Sequence, residues 1–156
     1  MSNIIKLIVS IIICQLAGII GTFFTADSIP GWYAGLIKPD FNPPNWIFAP
    51  VWILLYLMMG VSLFLVWRED LKNAVVKKAF YIFMVQLLFN TLWSIVFFGF
   101  QSISGGLVII ILLWLLIIYT ILNFLKISRT SGILLIPYLL WVTFAAILNF
   151  FIFKLN

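Results

Sequence analysis

Five long apolar runs, separated by short polar segments, occupy most of this chain of 156 residues. A helix needs ~20 predominantly apolar residues to cross the hydrocarbon core of a bilayer, and each run meets that length. Only 8% of the residues are charged and 65% are hydrophobic, which is too little polar material to cover a water-exposed surface. The sequence therefore predicts an all-α integral membrane protein, a five-transmembrane-helix bundle that forms one domain over residues 1–156. We expect its helices at about residues 4–25, 46–67, 79–100, 106–125 and 133–153.

The basic residues are distributed unevenly between the two sides of the predicted membrane. Lys38 and Lys154 fall on the side of the C-terminus, and the other seven of the nine fall on the side of the N-terminus. Those seven are Lys6, Arg68, Lys72, Lys77, Lys78, Lys126 and Arg129. The positive-inside rule then predicts a multi-pass protein of the cytoplasmic membrane, with its N-terminus in the cytoplasm and its C-terminus and residues 26–45 outside. The net charge of +5 is explained by this topology, and we expect no nucleic-acid partner.

Several residue types that support catalysis or metal binding are scarce or misplaced. The chain has no histidine, the commonest general base and metal ligand. Its one cysteine, Cys14, forms neither an internal disulfide nor a thiolate cluster. The four acidic residues fall in loops or at helix ends, whereas ion pathways place ionisable groups at membrane depth. We therefore expect no metal site and no cofactor, and the pattern disfavours ion transport.

The loop between the first two spans, residues 26–45, is far longer than the other connections. It contains three aromatic residues that suit an apolar surface or a membrane interface and four prolines that restrict the backbone. These residues are Trp32, Tyr33 and Phe41, with Pro30, Pro39, Pro43 and Pro44. Such a stiff, aromatic loop is typical either of a lid over the mouth of the bundle or of an anchor at headgroup level, and the residues alone leave both open.

Polar and aromatic side chains recur at helical spacing within three of the predicted spans. These residues are Trp52 and Tyr56 in the second span, Gln86, Asn90 and Trp93 in the third, and Trp141, Ala145 and Asn149 in the fifth. Polar side chains in a bilayer usually face the bundle interior, so the stripes predict a pocket for a flat, largely apolar molecule with a few polar edges. The alternative is that the amides only join helices through hydrogen bonds.

Three segments carry tryptophans, prolines and amides in a distinctive order. They are Trp32-Tyr33-x-x-Leu36-x-Lys38-Pro39-x-Phe41-x-Pro43-Pro44-x-Trp46-x-x-x-Pro50-Val51-Trp52, then Gln86-Leu87-x-x-Asn90-x-x-Trp93 with Phe97-Phe98-Gly99, and Pro137-Tyr138-x-x-Trp141-x-x-Phe144-Ala145-x-x-Leu148-Asn149. This order resembles the signature of the TspO/translocator-protein family, the tryptophan-rich sensory proteins related to the peripheral benzodiazepine receptor. The resemblance covers nearly the whole chain, and the number of spans agrees with it.

The resemblance implies a membrane receptor or sensor, commonly a homodimer, that binds porphyrins such as protoporphyrin IX and planar ligands such as PK11195 within the bundle. It favours the lid role for residues 26–45. By motif position, the ligand-binding residues would be Tyr33, Ala49, Trp52, Tyr56, Gln86, Phe89, Asn90, Trp93, Trp141 and Ala145. Transport of porphyrins or related small molecules is the alternative function.

The resemblance also implies a photochemical role for two residues. Some bacterial members of the family degrade protoporphyrin IX in light, and Trp52 and Trp141 match the tryptophans implicated in that reaction. The reaction is plausible without histidine, because the excited porphyrin and oxygen supply the reactive species and a nearby indole can donate an electron. Whether the chain is an enzyme stays open at this point.

Overall fold

All regular structure in this computed structural model, which covers residues 1–156, is helical. Five helical segments are long and apolar enough to cross a membrane, with α5 and α6 forming the fifth. The helices are α1 (Asn3–Thr25), α2 (Phe48–Trp67), α3 (Ala74–Ser94), α4 (Ile103–Leu125), α5 (Arg129–Leu134) and α6 (Ile136–Leu155). The predicted all-α membrane bundle of five spans is confirmed.

Three of the spans begin earlier than hydropathy predicts, each immediately after a polar N-cap residue. Asn73 Oδ1 accepts the Val75 N–H at 2.9 Å, and Ser102 Oγ accepts the Gly105 N–H at 3.1 Å. Ser128 caps α5 in the same way. Capping side chains satisfy amides that have no partner in the first helical turn. The starts expected near residues 79, 106 and 133 were wrong because hydropathy marks the lipid-facing part of a helix, whereas the cap marks its first turn.

The fifth span is broken where α5 meets α6 at Leu135. Pro137 follows the break and has no N–H with which to continue the helical ladder, and its ring crowds the carbonyl four residues earlier. The short α5 is held against α2 because the Ser62 hydroxyl donates to the Ser131 carbonyl at 2.8 Å. The break thus sets the direction in which α6 enters the bundle.

A π-helical turn, Ile95–Gly99, extends α3 and supplies two aromatic side chains to the interior. Phe97 and Phe98 are both buried there. Gly106 on α4 accommodates the first of them, because a Cβ at this position would lie 2.6 Å from the Phe97 ring. The widened turn therefore depends on a glycine in the neighbouring helix.

Successive spans run in opposite directions, so the bundle has two distinct ends. The N-terminal end holds residue 1 and the connections 68–73 and 126–128, and the loop end holds residues 26–45, 100–102 and the C-terminus. Toward the N-terminal end the interior is solid: Met59, Leu63 and Phe83 have no exposed surface, and Phe83 stacks on Phe124 with ring centroids 5.6 Å apart. Toward the loop end the same helices surround a cavity.

Candidate functional site

The cavity in the loop-end half has a volume of about 550 Å³. Its walls come from α1, α2, α3 with its π-helical turn, α6, and the loop of residues 26–45, and no charged residue lines it. Small-molecule sites in proteins are typically ~300–1,000 Å³ and predominantly apolar, with a few polar groups that orient the ligand. In size and lining, the cavity falls in this class.

Aromatic rings form the broad walls of the cavity. Trp52 stacks on Tyr56 with ring centroids 5.4 Å apart and an interplanar angle of 27°, and Trp93 stacks on Phe97 at 5.4 Å and 17°. Trp141 lines the cavity from α6. Stacked pairs hold their rings in fixed planes, so the walls offer flat apolar surfaces to a ligand.

A hydrogen-bonded chain of side chains leads from the cavity into the packed half of the bundle. The Tyr56 hydroxyl donates to Asn90 Oδ1, Asn90 Nδ2 donates to the Tyr138 hydroxyl at 2.9 Å, and that hydroxyl donates to Gln86 Oε1 at 2.9 Å. All four residues are buried. Asn90 carries two N–H donors and uses one of them on Tyr138, so the other has no partner within the protein. Asn90 also lines the cavity.

The tryptophans differ in what their indole N–H groups do. Among the seven, only Trp93 and Trp114 donate to a protein acceptor, to Asn149 at 3.1 Å and to Thr143 at 2.8 Å respectively. Trp52 and Trp141 line the cavity without such a bond. Their N–H groups are therefore free to donate to a ligand.

The loop of residues 26–45 covers the cavity and is tied down at several points. The Ser28 hydroxyl donates to the Phe98 carbonyl at 2.7 Å. Asn156 at the C-terminus pairs with the Ile37 backbone through two hydrogen bonds, of 3.0 and 2.8 Å. Between these ties the loop places Tyr33 in the cavity wall. The loop packs on the bundle and closes the cavity from this end.

Tyr33 is a polar side chain of the loop that is buried in the cavity wall. It is 5% exposed, and its hydroxyl donates to Asn42 Oδ1 at 3.1 Å. Burial raises the pKa of this hydroxyl above its ordinary value of 10.0, and the hydrogen bond to Asn42 opposes the shift. The Lys38 ammonium donates to the carbonyls of Tyr33 and Leu36 at 2.7 and 2.9 Å. Tyr33 therefore stays neutral at physiological pH. The Lys38 ammonium is hydrogen-bonded to carbonyls of the loop itself.

An opening connects the cavity with the outside of the bundle, between the C-terminal half of α1 and the start of α2. Several lining residues there are exposed, namely Ile19, Thr22, Ala26, Asn45, Ala49 and Ile53. Gln15 spans the gap deeper in the bundle, where its Nε2 donates to the Ile53 carbonyl at 3.1 Å. The rim includes the polar side chains of Thr22 and Asn45, so charged groups of a ligand can remain outside while its apolar body is enclosed.

The structure brings together eight of the ten residues expected from motif position. Those that line the cavity are Tyr33, Ala49, Trp52, Tyr56, Asn90, Trp93, Trp141 and Ala145. Gln86 does not line it: this residue is 1% exposed and lies beyond Tyr138 in the hydrogen-bonded chain. Phe89 packs against the hydrophobic core instead. These two residues are therefore not placed to contact a ligand that is enclosed in the cavity.

Sequence reasoning missed the wall that α1 contributes. Gly18, Gly21, Thr22 and Thr25 line the cavity at spacings of three and four residues. A Cβ at Gly18 would lie 2.5 Å from the Tyr56 ring, so the small residue leaves room for that ring. A run of small residues on one face of an otherwise bulky helix is the signal that would have predicted this wall.

No group of three or more histidine, cysteine, aspartate or glutamate side chains comes together anywhere in the chain. A second depression, of about 600 Å³, lies at the N-terminal end and is lined by charged as well as aromatic residues. Its charged and open character sets it apart from the enclosed aromatic cavity. The aromatic cavity is therefore the candidate site for a flat apolar molecule.

Together these features define a class: a polytopic membrane protein whose helices enclose an uncharged aromatic cavity beneath a packed loop. The model of the TspO/MBR family matches residues 10–155, and the chain belongs to this family. The resemblance seen in the tryptophan, proline and amide order is thereby confirmed.

Relatives of the chain extend over nearly its full length. It is 47% identical over 154 residues to the tryptophan-rich protein TspO of Archaeoglobus fulgidus, covering 99% of each chain. It is 43% identical over 154 residues to the protein of the same name from Chlorobaculum tepidum, covering 99% of this chain and 98% of the relative. To the translocator protein of Homo sapiens it is 35% identical over 148 residues, covering 90% and 86%.

Proposed function

We propose that the protein is a receptor or sensor that binds a porphyrin, with protoporphyrin IX as the reference ligand, in the aromatic cavity. The observation that carries this proposal is an uncharged cavity of about 550 Å³ walled by the stacked pairs Trp52–Tyr56 and Trp93–Phe97. A flat conjugated ring buries apolar faces against such walls. The same surfaces suit other planar molecules such as PK11195.

The polar groups of the cavity match the edges of such a ligand. The spare N–H of Asn90 and the indole N–H groups of Trp52 and Trp141 offer donors to a polar group on the edge of a planar ligand, such as a carbonyl. Burying a carboxylate without a partner is costly, and the cavity contains no cation. The two propionates of the porphyrin therefore project through the opening, beside Thr22 and Asn45.

A light-driven activity follows from the same placement of the indoles. Trp52 and Trp141 both line the cavity, so a bound porphyrin lies against them. Upon excitation the porphyrin takes one electron from an indole and then passes this electron to dissolved dioxygen. The products are an oxidised indole and superoxide, both next to the ligand. Porphyrin breakdown in this site is thus proposed to depend on these two tryptophans.

Three further assignments complete the proposal. The protein lies in the cytoplasmic membrane, with the strongly basic N-terminal end in the cytoplasm and the loop end outside. It forms a homodimer, as is common in the family. Binding is favoured over transport because the half below the cavity is solidly packed, with side chains such as Met59 and Leu63 fully buried, and so offers no passage through the bundle.

A titration with protoporphyrin IX in detergent or nanodiscs tests the binding site. We expect saturable quenching of tryptophan fluorescence, which weakens strongly in the double variant Trp52→Phe, Trp141→Phe. Trp67→Phe is the matched control, because this tryptophan packs on Phe80 at the N-terminal end. Quenching that is unchanged in the double variant would place the ligand elsewhere.

The photochemical role needs its own measurement, made at saturating porphyrin. Illumination should bleach the Soret band faster in the parent protein than in the double tryptophan variant, with different products. Equal rates and identical products in the two proteins would remove Trp52 and Trp141 from the reaction while leaving the binding proposal intact.

A further inference from the structure

The second depression, which we call the basal groove, lies at the N-terminal end, far along the bundle from the aromatic cavity. It is formed where the start of α1, the end of α2, the connection 68–73 and the first turns of α3 meet, and its volume is about 600 Å³. The proposed porphyrin site makes no use of it. It is lined both by charged residues and by aromatic ones, a combination that belongs to the region between lipid headgroups and acyl chains.

The groove carries four cations and two acids, so its lining has an excess of two positive charges. The lining includes Lys6, Arg68, Lys72 and Lys77 together with Glu69 and Asp70. Glu69 forms a salt bridge with Arg68 at 3.5 Å. Asp70 Oδ1 accepts the backbone N–H of Lys72 at 2.9 Å.

The remaining positive charge is not neutralised within the protein. The Lys6 ammonium donates to the Trp67 carbonyl at 3.1 Å, which fixes its position at the edge of the groove. The ammonium groups of Lys72 and Lys77 form no hydrogen bond within the protein. They form no salt bridge either, since the pair Arg68–Glu69 is the one salt bridge in the chain. The groove thus presents excess positive charge to a ligand.

Aromatic side chains line the same groove and continue into an apolar stripe. Trp67 packs on Phe80 at 5.5 Å between ring centroids, and Phe80 packs on Tyr81 at 5.9 Å. From Tyr81 the stripe follows α3 through Val85 and Leu88, at steps of four and three residues along one helix face. These three side chains are 59%, 44% and 57% exposed. A charged pocket that opens onto an exposed apolar stripe matches a molecule with an anionic head and a hydrocarbon chain.

We propose that the basal groove binds the phosphate headgroup of an anionic phospholipid, whose acyl chain lies along the stripe from Tyr81 to Leu88. Lys72 and Lys77 supply point charges to the phosphate, as lysine commonly does, and basic pockets between transmembrane helices hold anionic headgroups in this way. A zwitterionic lipid would bring its own ammonium group into a groove that is already positively charged. The excess charge therefore favours a lipid such as phosphatidylglycerol over phosphatidylcholine.

Native mass spectrometry of the protein released from nanodiscs of phosphatidylcholine and phosphatidylglycerol tests this proposal. We expect the parent to retain phosphatidylglycerol selectively, and the variant Lys72→Gln, Lys77→Gln to retain about 25-fold less, since each of the two basic residues near an anionic surface contributes about a five-fold gain in affinity. The matched control is Lys126→Gln, Arg129→Gln, which removes two cations from the same end but outside the groove. An equal loss in both variants, or no loss in either, would overturn the site.

A second arm distinguishes the lipid from a soluble anion with the same phosphate group. Glycerol 3-phosphate, added at millimolar concentration to the lipid-loaded protein, should leave phosphatidylglycerol in place because it lacks the acyl chain. Complete displacement by glycerol 3-phosphate would overturn the assignment to a lipid. None of these readouts involves a porphyrin, so their outcome is independent of the proposed function.

Discussion

The two halves of the bundle use the same kinds of residue for opposite purposes. In the N-terminal half, the rings of Phe83 and Phe124 stack on each other and fill the interior. In the loop-end half, the rings of Trp52 and Trp93 stack on a neighbour and leave the interior open. Helices in a bilayer associate through close packing and hydrogen bonds rather than hydrophobic burial. We infer from this difference that packing in the solid half stabilises the bundle, which allows the hollow half to remain unfilled.

Glycine shows the same division within the contact between α1 and α2. In the solid half, a Cβ at Gly60 would lie 2.7 Å from the Ile11 Cα, so the two backbones touch. In the hollow half, the atoms nearest to a Cβ at Gly18 would be those of the Tyr56 ring, which belongs to a side chain of the cavity wall and not to the backbone. Equivalent substitutions in the two halves should therefore affect different properties of the protein.

The largest expected effect comes from filling the hollow half. Ala145→Trp places an indole in the cavity wall formed by α6. A ligand can then enter only if the new indole moves aside. If this costs ~3 kcal/mol, as overpacking of a filled interior does, porphyrin affinity falls by about a hundred-fold. Fluorescence titration with protoporphyrin IX measures the loss. Ile147→Trp is the control, because Ile147 faces outward and is 48% exposed. Unchanged affinity in the Ala145 variant would show that the ligand does not occupy the cavity.

A smaller but clear effect is expected in the solid half. Gly60→Ala forces the backbones of α1 and α2 apart, because the nearest atom to the new Cβ would be the backbone Cα of Ile11, which cannot move aside by a change of rotamer. We expect a loss of about 1–3 kcal/mol in the free energy of unfolding, visible as a lower thermal midpoint in detergent. Porphyrin affinity of the folded fraction should stay within about two-fold of the parent. Weakened binding without loss of stability would contradict the separation of the two halves.

The matching substitution in the hollow half should have the reverse profile. Gly18→Ala displaces the Tyr56 ring, which lines the cavity and donates to Asn90. We expect about a five-fold loss of porphyrin affinity, equivalent to ~1 kcal/mol, and a thermal midpoint closer to the parent than that of Gly60→Ala. If the two alanine variants lose stability and affinity in the same proportion, the division into a structural and a binding half is wrong.

The smallest effect is expected at the loop that closes the hollow half. Asn156→Ala removes two hydrogen bonds to the Ile37 backbone. Each such bond contributes ~0.5–1.5 kcal/mol at most, and these are exposed, so we expect porphyrin release to accelerate by about two- to five-fold. Stopped-flow displacement measures the rate. Lys154→Ala serves as the control, because its ammonium approaches only the Phe150 ring. Identical release rates in all three proteins would mean that the loop does not gate the cavity.

The spans and the inward faces were predictable from sequence because hydropathy and helical periodicity report on them directly. Asn90 and Trp93 lie at the cavity as their spacing predicted, whereas Gln86, one turn deeper on the same stripe, lies beyond the cavity wall. Periodicity fixes the side of a helix on which a residue lies, but it does not fix the depth at which a cavity ends. That depth depends on how Tyr56 and Tyr138 pack together, which no local pattern encodes.

Two other features could not be predicted from the sequence, because each depends on contacts or spaces between helices. The π-helical turn that buries Phe97 and Phe98 depends on Gly106 in the next helix, a contact between residues on different helices. The α1 wall at Gly18 and Thr22 consists of small side chains, which leave space rather than occupy it. Local sequence reports well on bulky or charged side chains and poorly on the spaces between helices.

The most direct test of the hollow half is a structure of the protein with protoporphyrin IX, determined by crystallography in a lipidic mesophase. We predict that the ring lies within the bundle, in contact with the indoles of Trp52 and Trp141, with its propionates at the opening between α1 and α2. A porphyrin bound on the lipid-facing surface, with the cavity empty or collapsed, would contradict the proposal that the unfilled half of the bundle is the binding site.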